Sequence, residues 1–174
     1  EAAIAAVRNP GQAFTCGAAG RQATFKKAGS FLWLLLPSGR VICYPYPKIL
    51  EGDYGPQLTY MTVPNPDDAK KLKIIADPMN TNNWARISTY GGALFNNIVQ
   101  GFSRDLLTDA LLALDALGAA IVMHTHDDIV VEVDEAKAEA ARAVMQGTMR
   151  SPSAWAAGFP LFAKVDVMVR YGKG

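Results

Sequence analysis

Val122-Met123-His124-Thr125-His126-Asp127-Asp128-Ile129-Val130 places a polar tip, residues 125–128, between two apolar runs. Residues 119–124 and 129–133 each have strand length and β-branched content, and the tip supplies turn-forming side chains. The stretch therefore predicts a β-hairpin with carboxylates at its bend. Two adjacent carboxylates held against buried strands cost free energy unless they face water or bind a cation. Carboxylate is a hard oxygen donor and suits Mg²⁺, which commonly takes one or two carboxylates together with substrate phosphates. An ordinary Asp-Asp turn is the competing reading, since aspartate is common in turns.

Working outward, Asp134 is a candidate cap for a helix reaching about Met149, with Glu135 in the first turn where the helix dipole favours it. Ser151-Pro152 reads as an N-cap and first-position proline opening a short turn through Trp155. Residues 161–171 alternate apolar and charged side chains and predict a final strand. On the upstream side, Ser88 or Thr89 is positioned to cap a long helix ending at Gly118. Leu94, Ile98, Phe102 and Leu106 form its expected buried row, and Asn96, Gln100 and Arg104 repeat at the same spacing on another face. Residues 45–83 are rich in Pro, Asn and Asp and read as irregular, with one strand at 58–63. A hairpin is expected from 31–36 and 40–44 around Pro37-Ser38-Gly39. Residues 1–7 predict a helix stopped by Asn9-Pro10-Gly11, and 18–28 a further helix exposing Arg21, Lys26 and Lys27. Mixed helices and hairpins make the class α+β, with an antiparallel sheet packed against long helices. Three parts are expected: a basic segment and hairpin at 1–50, an irregular connection at 51–87, and the long helix, hairpin, helix and last strand at 88–174.

Half of the 174 residues are hydrophobic and 19% are charged, which excludes disordered and collagen-like classes and allows a sizeable core. No apolar run approaches the roughly 18 residues of a membrane span. Cys16 and Cys43 are too few for a disulfide framework or a zinc site and suit a reducing compartment, so a cytoplasmic location is expected. The net charge of +1 conceals an asymmetry. Residues 1–50 hold Arg8, Arg21, Lys26, Lys27, Arg40 and Lys48 against Glu1, and the remainder is net acidic. A polyanion-binding surface beside a metal site has this pattern, and so do two ordinarily solvated surfaces. The helix-like start at Glu1, without Met, reads as a cut from a longer chain.

His124-Thr125-His126-Asp127-Asp128 also looks like the His-x-His-x-Asp-His run of metallo-β-lactamase-fold hydrolases. Ile129 stands at its final histidine, and the sequence holds no third histidine, which argues against a metallohydrolase. His126-Asp127-Asp128-Ile129-Val130-Val131-Glu132-Val133 instead resembles motif C of family A DNA polymerases, the DNA polymerase I group, and its bacteriophage branch in particular. Asp128 departs from the usual Glu, keeping the charge but shortening the reach by one methylene. Thr89-Tyr90-Gly91-Gly92-Ala93-Leu94-Phe95-Asn96-Asn97-Ile98-Val99-Gln100 resembles the helix that precedes motif C, continuing through Arg104-Asp105-Leu106-Leu107 as in phage members. Leu36-Pro37-Ser38-Gly39-Arg40 with Tyr44-Pro45 is similar to the family's upstream hairpin, and Trp155, Gly158, Pro160-Leu161 and Arg170-Tyr171-Gly172-Lys173 to its end.

That resemblance implies template-directed DNA synthesis from a primer 3′-hydroxyl, with primer-template DNA and a dNTP as partners. It implies that Asp127 binds the catalytic Mg²⁺ pair, that Asp128 is a secondary carboxylate beside it, and that His126 lies near the primer terminus. Gln100, with Asn96 or Asn97, would contact the duplex minor groove, and Arg40 and Arg104 the phosphates. For Arg104, an intrahelical pair with Asp105, Thr108 or Asp109 stays open. The motif A run Asp-Tyr-Ser-x-Ile-Glu is absent, Asp53-Tyr54-Gly55 sharing only a dipeptide with it. Motif B is absent too, since Asn83 stands where its lysine would precede Tyr90. The chain is thus expected to be inactive alone and to need an N-terminal portion carrying both motifs. A non-catalytic DNA-binding or assembly module derived from a polymerase palm is the alternative.

Overall fold

The computed structural model describes residues 1–18, 21–64 and 74–172. The chain forms two compact units, Glu1–Gly101 and Phe102–Gly174. The class is α+β, and every strand pair is antiparallel.

In the first unit, α1 (Ala2–Arg8) is followed by β1 (Ala13–Cys16), β2 (Ala23–Ala28), β3 (Phe31–Leu35) and β4 (Val41–Pro45), which form one sheet in that order. A second sheet contains β5 (Lys48–Gly52), β6 (Gly55–Thr62), β7 (Ile74–Ile75) and β8 (Ala85–Ser88), in the order β5-β6-β8-β7. Ala3 and Ala6 of α1, Phe25, Leu32, Leu34, Leu36, Tyr44 and Leu58 form the core. The expected hairpin is present as β3 and β4, and Gly39 supplies the positive φ (90°) its turn requires.

Two expectations for this unit are corrected. The described residues of 18–28 are not helical: 23–28 form β2, paired to β1 on one side and β3 on the other. The reason is a period of two, with Ala23 and Phe25 turned inward and Lys26 outward, which the alanines on either side obscure. Ala19 and Gly20 lie outside the described residues. Much of 45–83 is also sheet, since β5, β6 and β7 fall within it and β8 follows, while residues 65–73 lie outside the described residues.

The long helix, α2 (Gly91–Ala116), crosses the boundary between the two units. Ser88 and Thr89 do not cap it. Ser88 closes β8, the Thr89 N–H donates to the Leu58 carbonyl, and the first helical bond runs from the Leu94 N–H to the Tyr90 carbonyl. At its other end Gly118 (φ 77°) closes a Schellman motif, with the Ala119 N–H on the Leu114 carbonyl and the Gly118 N–H on that of Asp115. Leu94 and Ile98 pack on the first core, but the buried positions of α2 are Asp105, Leu107 and Leu114 rather than the expected row.

The second unit continues with β9 (Ile121–Thr125) and β10 (Asp128–Val131), a 3₁₀ turn at Glu135–Lys137, and α3 (Ala138–Arg150). Leu107, Leu114 and Ile129 are its core, flanked by Ile121, Val131, Met145 and Met149. Asp134 precedes the 3₁₀ turn without capping it by its side chain. Ser151 ends α3, its hydroxyl donating to the Gly147 carbonyl, and Ser153 is the N-cap of the Ala154–Ala156 turn. The final strand is not formed: no ladder includes 161–172 among the described residues. The Ala163 carbonyl accepts instead from Arg150 Nε (3.1 Å) and Nη2 (2.8 Å) and from Gln146 Nε2 (3.3 Å), so α3 side chains take the acceptor a strand partner would use. Lys173, expected in the closing motif, lies outside the described residues. Among the described residues no helix is long and apolar enough to cross a membrane.

Candidate functional site

The β9–β10 hairpin pairs Thr125 with Asp128 and leaves His126 and Asp127 as a two-residue turn. A positive φ at His126 (50°) but not at Asp127 is the sign pattern of a type II′ turn, in which glycine is the usual first residue. An L-residue held there costs about 1–2 kcal/mol. Ile129, one residue beyond the tip, is 9% exposed and packs with Leu107 and Leu114, which fixes the tip to the core of its unit. The ladder shifts register between Val130 and Val131. His124, His126, Asp127 and Asp128 are all exposed.

No side-chain hydrogen bond or ion pair engages either carboxylate among the described residues. Two free hard-oxygen donors on consecutive residues fit Mg²⁺, which needs few protein ligands and keeps water or phosphate in the rest of its octahedron. No group of three or more His, Cys, Asp or Glu suited to a metal exists among the described residues. Among the described residues, His124 and His126 thus have no third ligand of the kind a metallohydrolase needs.

α2 carries the other candidates except Arg40. Asn96 and Gln100 are exposed and have no side-chain partner among the described residues. Asn97 differs: its Nδ2 donates to the Tyr44 hydroxyl at 2.9 Å. Tyr44 is 2% exposed and stacks edge-on against Tyr60 at 5.0 Å. Burial raises the Tyr44 pKa above the ordinary tyrosine value, against the lowering effect of the Asn97 bond. Arg104 is exposed and its guanidinium forms no ion pair among the described residues, while its carbonyl accepts from Thr108 Oγ1 (2.8 Å). Asp109 is engaged elsewhere, by Trp155 Nε1 (2.7 Å) and the Ser153 hydroxyl. Arg40 is exposed in the β3–β4 turn. Arg40, Asn96, Asn97 and Gln100 thus belong to the first unit, and Arg104, His126, Asp127 and Asp128 to the second.

Sequence reasoning missed a buried ion network in the first unit. Arg86 Nε meets Asp77 Oδ2 at 2.7 Å, and its Nη1 donates to the Tyr46 carbonyl (2.9 Å) and Thr59 Oγ1 (3.2 Å). Lys48 Nζ reaches the same Asp77 oxygen at 2.7 Å. The Lys48 hydrogen bond, the Met79 backbone N–H and Arg86 hold the Asp77 carboxyl far below the usual carboxylate range. The available signal was a lone arginine in Ala85-Arg86-Ile87, since a cation inside a strand needs a partner.

The chain is 36% identical over 152 residues to a protein of Bacillus phage SP02 named DNA polymerase, a match covering 86% of this chain and 21% of the phage protein. It is 34% identical over 83 residues to the thermostable DNA polymerase I of Thermus filiformis, covering 45% of this chain and 9% of that protein. The chain therefore spans about a fifth of the phage relative's length. No family model and no solved structure matches it. Its resemblance to the DNA polymerase I group, stated from its motifs, is borne out by these relatives.

Proposed function

We propose, taking as premise that this chain is homologous to a segment of phage and bacterial DNA polymerases, that it is the C-terminal palm part of a family A DNA polymerase and supplies half of a nucleotidyl-transfer site. The observation that carries the reading is the hairpin tip, where Asp127 and Asp128 stand exposed and unengaged among the described residues on a turn anchored by Ile129. Asp127, with Asp128 beside it, would hold Mg²⁺. Bound there, the metal would supply activation of the primer 3′-hydroxyl and neutralisation of the charge developing on the phosphate. His126, fixed by its turn, would donate a hydrogen bond near the primer terminus. Asn96 and Gln100 would read minor-groove acceptors shared by all base pairs. Asn97, already bonded to Tyr44, would hold the helix to the β3–β4 hairpin rather than touch DNA. Arg40 and Arg104 would meet phosphates.

An N-terminal polymerase portion carrying motifs A and B would complete the site, with primer-template DNA and a dNTP as substrates. Mixing the chain with such a portion should give primer extension in Mg²⁺, and Asp127→Ala should reduce it about 10²–10³-fold, the scale lost when preorganised electrostatic stabilisation goes. Undiminished extension by Asp127→Ala would overturn the assignment. The second reading, a DNA-binding module without catalysis, is favoured by the open amide face of α2. It expects salt-dependent duplex binding by this chain alone, without Mg²⁺ and indifferent to Asp127→Ala.

A further inference from the structure

Apart from Arg40 at one end of the sheet, the outer face of the first sheet has no place in the site above. Along β3, Leu32 and Leu34 enter the core while Trp33 and Leu35 turn outward. The Phe31 and Trp33 rings lie 5.2 Å apart, and the Phe31 and Tyr46 rings 6.4 Å, tilted by 40° and 38°. The result is a row of three aromatic rings, with Trp33 37% and Tyr46 39% exposed. Tyr46 is held at φ 47°, in the left-handed region that a residue with a Cβ enters only under constraint. The constraint is visible: buried Arg86 grips its carbonyl, and its N–H donates to the Ser30 carbonyl at 2.6 Å.

Lys26 sits directly opposite Trp33 in the β2–β3 register. No carboxylate occurs in any of the four strands. Arg21 precedes β2 and Arg40 lies in the β3–β4 turn, which puts both at the end of the sheet where Thr24, Leu35 and Val41 align. Flat rings in a row, a lysine opposite one of them and no carboxylate on the four strands are elements of a platform on which bases stack while phosphates are neutralised. A duplex keeps its bases stacked on one another and offers the rings nothing.

We propose that this face binds single-stranded nucleic acid, with bases on the Trp33–Phe31–Tyr46 row and the backbone along Lys26. The proposal stands apart from the polymerase reading, which is tested at Asp127 on the other unit. Fluorescence anisotropy of a short labelled oligothymidylate at low salt tests it on the chain as it stands, with a duplex of equal length as comparison. The single strand should bind more tightly than the duplex. Trp33→Leu should weaken it roughly tenfold, as expected for loss of one stacked base, and Trp33→Phe should restore most of the affinity. Lys26→Gln should lower the slope of log affinity against log salt by roughly 0.7, one phosphate contact. No binding at low salt, equal affinity for duplex, or full affinity in a folded Trp33→Leu would each overturn the proposal. Should Trp33→Leu fail to fold, an unchanged salt slope in Lys26→Gln overturns it. A self-associated chain that binds no oligonucleotide and is made monomeric by Trp33→Leu would mark the face as a protein interface and overturn it as well.

Discussion

His126 shows how one residue reports a constraint. Its left-handed φ at the head of a two-residue turn is a position at which glycine carries no steric cost. His126→Gly should therefore leave the thermal midpoint of the chain almost unchanged, the relief of strain offsetting the greater chain entropy of glycine. His126→Val, whose branched Cβ tolerates this region poorly, should cost more than about 1 kcal/mol. A Val variant as stable as the wild type would mean that the turn adapts freely. Asp77 makes a second statement at this scale. Its carboxyl is depressed in the fold, so its contribution is full above the unfolded carboxylate value of about 3.9 and is lost as pH falls towards the folded value. The gap in urea midpoint between wild type and Asp77→Asn should accordingly be widest near neutrality and shrink below about pH 4. A gap independent of pH would show that the Lys48 and Arg86 contacts do not depend on the ionised carboxylate.

Elements reveal which signals survive in a sequence. The β9–β10 hairpin was legible because its strands, turn and carboxylates are contiguous, and all of its register is local. α2 was legible for its length and its glycine stop, since both follow from helix chemistry. β1 and β2 were not: four residues are too short for a pattern in β1, and the alanines at both ends of β2 favour helix by propensity. Asn97 could not be told from Asn96 by sequence, because its partner Tyr44 is 53 residues away. The close fit between α2 and the β3–β4 hairpin is equally long-range. A Cβ on Gly101 would come within 2.5 Å of Leu36 Cδ1, and Leu36 is only 2% exposed. Gly101→Ala should therefore destabilise the chain by about 1 kcal/mol or more, overpacking outweighing the better helix propensity of alanine. Stabilisation in a urea titration would show that Leu36 has room to turn away.

At the scale of the whole molecule, two units have separate cores, and the candidate residues are divided between them. Composition foretold a core but not two, because hydrophobic content carries no information on how it is partitioned. The final strand failed for a related reason: alternation from 161 to 171 gives a segment the capacity to pair, and pairing requires a neighbour. Arg150 and Gln146 converge on the Ala163 carbonyl, and residues 164–172 enter no backbone–backbone hydrogen bond among the described residues. In deuterium exchange, the amides of 164–172 should label fully at the earliest time point while those of β2 and β3 label slowly, and slow exchange within 164–172 would reveal an unseen ladder. Arg150→Met should carry fast labelling back towards Gly158. A single oxygen atom then serves as the mooring that ties the chain around Ala163 to α3.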